Sequence, residues 1–219
     1  MFNKRELLPI FIILLIIISG FALYPSLPEQ VPSHWNSQGE VDNYAGKGFS
    51  VIFYPAITLF IYLLMSVLPK IDPLKKNYAS FSNVYFWTKV LLVGFFALMY
   101  LFTLLFSIGK IQFSIRFFMV PLISLLYIVL GSFMPKIKKN YFYGIRTPWT
   151  LNSEEVWDQT HKVAGKFFII AGVISLFSVP LKGETSIIIF LVSALSAALG
   201  SVIYSYIIFK KLNKDNGNN

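Results

Sequence analysis

The sequence predicts an all-α integral membrane protein with six transmembrane helices, both termini on the cytoplasmic side, and one extracellular loop able to close as a small hairpin. Three observations carry this. Of 219 residues, 56% are hydrophobic and only 13% charged, against roughly 25% charged in an ordinary soluble domain. The apolar residues gather in long blocks, of the order of the 20 or so residues that a bilayer-spanning helix needs. The lysines and arginines are shared unevenly between the connections, and that asymmetry sets orientation.

The six spans are residues 7–24, 49–68, 90–108, 117–134, 167–181 and 186–209. None contains Asp, Glu, Lys, Arg or His. Backbone polar groups in lipid must be paired within the segment, so each span is read as a helix. The first follows Lys4 and Arg5, as a signal sequence would. Its apolar stretch is longer than an h-region and Ala22-Leu23-Tyr24 is a poor cleavage site, so it reads as an uncleaved anchor. The fifth is short, with Pro180 near its end, and Lys166 can snorkel to lengthen it. In the last, Ser193, Ala197 and Ser201 share one face and Ser196 and Gly200 another, which permits close helix approach. Packing within the chain is the expected use. The polar tail KDNGNN, residues 214–219, is expected to fray.

With the N-terminus inside, fifteen of the nineteen Lys and Arg residues are cytoplasmic, leaving Lys47, Lys110, Arg116 and Lys182 outside. The formal net charge of +9 follows from this topology, and direct nucleic-acid binding is not needed to explain it. The absence of Cys excludes disulfides, thiolate metal sites and thiol catalysis. The domain division expected is a first helix pair with its extracellular loop (1–68, loop 26–47), a central helix pair (69–134), and a cytoplasmic segment with the last helix pair (135–219).

Two connections are long enough to carry function. The outer one, SLPEQVPSHWNSQGEVDNYAGK, is stiffened by Pro25, Pro28 and Pro32. Gly39 supplies a turn, so VPSHWN and EVDNYA can pair. His34 and Asp42 are expected to hydrogen-bond across the hairpin, with Trp35 and Tyr44 resting on the membrane surface. A metal reading of His34, Glu40 and Asp42 competes, since such ligands can bind zinc or iron, but their spacing across a turn is not diagnostic.

The inner connection contains GIRTPWTLNSEEVW, residues 144–157. Tyr141, Phe142 and Tyr143 before it suit the membrane–water boundary. Thr147 precedes Pro148 and is biased to extended backbone, which speaks against a helix there. Asn152 offers an N-cap with Glu155 three residues on, so a helix should start here and run into the fifth span. On it Val156, Trp157, Thr160, Ala164 and Phe167 share a face, Glu154 and Asp158 are neighbours, and His161 neighbours Trp157. Arg146 can reach an acidic side chain or stack on Trp149. Two readings stand: an interfacial anchor with tryptophans at headgroup depth, or a rigid platform for a cytosolic partner. A metal site at His161 is poor, for want of a second nitrogen ligand.

The stretch NYFYGIRTPWTLNSEEVWDQTHKVAGK closely resembles the C-terminal signature of the SdpI family of bacterial membrane immunity proteins. The match runs through Gly144, Ile145, Arg146, Thr147, Pro148, Trp149 and Thr150, then Glu155, Val156, Trp157 and His161. The outer loop resembles a small extracellular-loop domain of unassigned function that often precedes this signature, through Pro32, His34, Asn36, Gly39, Asp42, Tyr44 and Lys47. The resemblance implies a multi-pass protein of the bacterial plasma membrane, without enzymatic activity or cofactor, that protects its cell from a secreted antimicrobial peptide toxin. It also implies sequestration of a cytosolic transcriptional repressor when toxin is bound. The candidate contact residues are then His34, Trp35, Asn36, Gly39, Asp42 and Lys47 outside, with Gly144, Arg146, Thr147, Pro148, Trp149, Glu155, Trp157 and His161 inside. Two rivals remain. A small-molecule transporter or exporter is opposed by spans free of ionisable groups. A membrane enzyme using His34 or His161 as acid–base group is opposed by the lack of a paired nucleophile or metal cluster.

Overall fold

Each apolar block becomes a helix, as pairing of the backbone in lipid demands. The computed structural model describes residues 4–181 and 184–216. Lys182 and residues 217–219 of the expected frayed tail lie outside the described residues. Helix α1 is Leu7–Leu23, and strands β1 (Gln30–Trp35) and β2 (Val41–Gly46) follow. Helices α2 (Lys47–Ile71), α3 (Ser82–Ser107) and α4 (Arg116–Phe133) come next, then a short α5 (Pro148–Asn152), α6 (Glu154–Ser178) and α7 (Thr185–Asn216). Among the described residues six helices are long and apolar enough to cross a membrane. The protein is a polytopic, multi-pass membrane protein. Helix α7 reaches Asn216, so the first residues of the tail are helical rather than frayed.

The chain forms two compact units. One comprises the residues up to Val67 together with Phe86–Phe118; the other comprises Leu68–Tyr85 and the chain from Met119 onward.

In the first unit the hairpin is built onto the helices by a buried cluster that includes Ile16, Leu27, Val31, Val51, Tyr100 and Leu104. Gly20 of α1 lies where a Cβ would meet the Tyr100 hydroxyl of α3, so the glycine makes room for that ring. The strands pair antiparallel from Gln30 opposite Gly46 to Trp35 opposite Val41, with irregularities on either side of His34. The unit also corrects one expectation. Helix α3 starts at Ser82, not near residue 90, so Lys89 lies inside it and is buried. Its ammonium holds Glu6, in the turn before α1, at 2.7 and 2.8 Å and donates to Ser66 Oγ at 3.3 Å. The helices are therefore not free of ionisable groups. A lysine tolerates this position because a carboxylate and a hydroxyl replace its water.

In the second unit α4 and α6 meet through glycines. A Cβ on Gly131 would stand 2.7 Å from the Gly165 carbonyl oxygen, and one on Gly165 2.6 Å from that of Gly131. Without a hydrophobic drive between helices in lipid, such backbone approach is a main source of packing. Helices α6 and α7 are joined by a serine pair, Ser175 Oγ to Ser193 Oγ at 2.8 Å. Ala197 and Ser201 are buried on the same face of α7, so that row of small residues packs within the chain as expected. Tyr127 of α4 lies edge-on to Phe168 and stacks on Phe190.

Candidate functional site

The inner connection is ordered by side chains that supply hydrogen bonds its irregular backbone cannot make for itself. Asn140, fully buried, donates to the carbonyls of Lys138 and Tyr143, both at 2.9 Å, and accepts from the N–H groups of Phe142 and Tyr143. Asp72, just past α2 and nearly fully buried, accepts from the Leu74 N–H at 2.6 Å, the Tyr141 N–H at 2.9 Å and the Tyr78 hydroxyl at 3.0 Å. Three donors keep a buried carboxylate satisfied without a cation bonded to it. Neither residue was singled out from sequence. Asp72 did carry a signal, because an aspartate two residues before its N–H partner is an Asx-turn.

Downstream, Gly144 has φ +112°, and its missing Cβ is the space occupied by the His161 ring. His161 Nε2 accepts from the Ile145 N–H at 2.9 Å, so that nitrogen carries no proton and Nδ1–H donates to the Trp157 carbonyl at 2.9 Å. The ring stacks on Trp157 at 4.1 Å between centroids, as four-residue spacing predicts. Both ring nitrogens are thus engaged, and the buried side chain has no lone pair to offer a substrate.

Thr147 is extended, as the following proline requires, yet a helix does begin at Pro148. The expectation of no helix there fails for a physical reason. Extended backbone is what an N-cap residue adopts, and proline is favoured at the first helical position. Thr150 N–H donates to Thr147 Oγ1 while Thr147 N–H donates to Thr150 Oγ1, a reciprocal cap. Helix α6 is capped by Ser153, whose Oγ accepts from the Val156 N–H at 3.3 Å, one residue later than the Asn152 cap expected. As expected, the helix then runs without a break into the apolar span.

Both tryptophans are tied into the fold by their indole N–H groups. Trp157 is fully buried and donates to the Ile137 carbonyl at 2.8 Å. Trp149 donates to Ser205 Oγ of α7 at 2.6 Å and packs against Tyr206 and Phe209. Among the described residues Arg146 neither stacks on Trp149 nor bonds an acid; its Nη1 donates to the Tyr141 carbonyl at 2.8 Å. Asp158 pairs with Lys138 at 2.8 Å rather than facing Glu154 alone. The signature therefore divides in two. Gly144, Thr147, Trp149, Trp157 and His161 build the segment, while Arg146, Pro148 and Glu155, with Asn152 and Glu154, are exposed.

On the hairpin, His34 Nδ1 and Asp42 Oδ1 stand 2.6 Å apart, as expected, on largely exposed side chains. Asn36 shapes the turn: its Oδ1 accepts from the N–H groups of Gln38 and Glu40, both at 3.0 Å. Gly39, at φ +81°, lies against Ser114. Lys47 ties the hairpin's end to Glu29 at 2.9 Å. Trp35 is half-buried and packs edge-on against Phe102 and Phe106 of α3. Tyr44 is exposed. No group of three His, Asp or Glu side chains able to hold a metal ion occurs among the described residues.

Comparison with known proteins matches both regions. Residues 136–205 match the SdpI/YfhL protein family, and residues 10–59 match a domain of unknown function (DUF1648). The chain is 30% identical over 210 residues to "Immunity protein SdpI" of Bacillus subtilis (strain 168), covering 96% of this chain and 98% of that protein. No solved structure matches it.

Proposed function

Because the chain belongs to the SdpI family of membrane immunity proteins, we propose that it protects the bacterium making it from a secreted antimicrobial peptide toxin. The near full-length likeness to a protein named for immunity carries this reading. In it the exposed rim of the hairpin, His34, Asp42 and Tyr44, is the toxin-facing surface. The exposed rim of the signature segment, Arg146, Pro148 and Glu155, holds a cytosolic transcriptional repressor when toxin is bound. The sidedness rests on the distribution of Lys and Arg. Coupling requires two arrangements of the protein, each favoured by one partner.

A toxin-sensitive strain expressing the chain should survive the peptide, and unchanged killing would remove the immunity reading. For the repressor, Arg146→Ala alters an exposed side chain and should abolish recruitment of the regulator to the membrane while the protein still accumulates. Trp149→Ala is the contrast, because it removes packing against α7 and should lower accumulation itself. Recruitment that persists in Arg146→Ala would leave the exposed rim without its assigned role.

A further inference from the structure

Helices α6 and α7 leave between them an apolar groove of about 640 Å³, lined by Phe167, Ile170 and Ile174 on one side and Val192, Ser196 and Gly200 on the other. Along α6 the row at four-residue spacing reads Lys162, Lys166, Ile170, Ile174, so Lys166 stands one turn before the groove residue Ile170, at the Phe167 end, and Lys162 one turn beyond it. Both lysines are exposed. Among the described residues neither has an acidic partner, because Asp158, one turn before Lys162, is held by Lys138.

We infer that this groove seats one anionic glycerophospholipid of the surrounding membrane, an acyl chain between Ile170, Ile174 and Val192 and its phosphate on Lys162 and Lys166. The charge pattern selects this occupant. A groove at membrane depth is filled by hydrocarbon, and lysines at its end reach the headgroup level and favour an anion there. A second copy of the chain in the same membrane would share its orientation and bring lysines level with lysines, a like-charge meeting that costs affinity. Ser193 is already turned to Ser175, so Ser196 and Gly200 leave the floor of the groove shallow and apolar.

The purified, delipidated protein is titrated with phosphatidylglycerol and with phosphatidylcholine of identical acyl chains, and bound lipid is read by native mass spectrometry. The wild type should retain phosphatidylglycerol by about tenfold or more over phosphatidylcholine, since each lysine near an anionic headgroup contributes roughly fivefold. Lys162→Gln with Lys166→Gln, both at exposed positions, should erase the preference. Ser196→Phe should fill the groove and lower retention of both lipids. Equal retention of the two lipids by the wild type, or retention unchanged in the lysine variant, overturns the inference. So does a disulfide-linked dimer of the Ser196→Cys chain, which would put a second copy in the groove.

Discussion

His161 joins loop to helix through two hydrogen bonds, accepting from Ile145 and donating to the Trp157 carbonyl. Gly144 leaves the room for it. His161→Ala would bury an unpaired Ile145 N–H, a loss of about 1–3 kcal/mol, and remove a ring stacked on Trp157. Gly144→Ala adds a methyl where the ring sits, at a positive φ that side chains resist. Both variants should lower the thermal unfolding temperature of the detergent-solubilised protein, and the alanine at 144 should not be rescued by shrinking residue 161, because the backbone strain remains. Unfolding temperatures equal to wild type would show the ring to be dispensable. Asp72 allows a sharper test, since it is bonded to three donors. Asp72→Asn keeps the shape but turns an amide NH₂ toward an N–H or O–H donor. Hydrogen bonds to a charged group contribute about 1.5–3 kcal/mol each, so this near-isosteric change should destabilise clearly. A neutral outcome in the same unfolding assay would mean that the carboxylate is not the organising group.

At the scale of elements, the caps decide where the cytoplasmic helices begin. Thr147 caps α5 and Ser153 caps α6; Thr147→Ala and Ser153→Ala should each cost about 1 kcal/mol. The two should add when combined only if the caps act independently, so a double-variant cycle read by thermal unfolding measures their coupling. The same segment shows what periodicity can and cannot reveal. The apolar runs and the continuity of α6 into its span were legible, because helix pairing in lipid leaves few alternatives. The Trp157–His161 contact was legible from spacing, and the His34–Asp42 contact from the turn at Gly39. The break at Ser153 was not, because Thr147-Pro148 reads equally as a bar to helix and as the start of one. Asp72, Tyr78 and Asn140 were hidden for another reason: their partners lie as many as 69 residues away, and no local pattern encodes such a meeting. Lys89 was missed because a hydropathy window ends at a charge, whereas its partner Glu6 lies 83 residues away.

At the scale of the whole molecule, the proposed relay from toxin to repressor depends on which side of the bilayer each ordered segment faces. Fifteen of the nineteen basic residues fall to one side in the arrangement with the N-terminus inside, and cytoplasmic connections are the ones that collect Lys and Arg. The chain lacks Cys, so single cysteines can be placed without background. Ser37→Cys stands at the exposed tip of the hairpin, and Asn152→Cys on the exposed rim of the signature segment. In intact cells an impermeant thiol reagent should label residue 37 and spare residue 152, while permeabilised cells should label both. Neither position lies in a helix predicted to cross the bilayer, so failure to label cannot be blamed on burial in lipid. If both label in intact cells, the two ordered segments share a side. No toxin-to-repressor relay could then run through this protein, though protection by the outer segment alone would still be open to the survival assay.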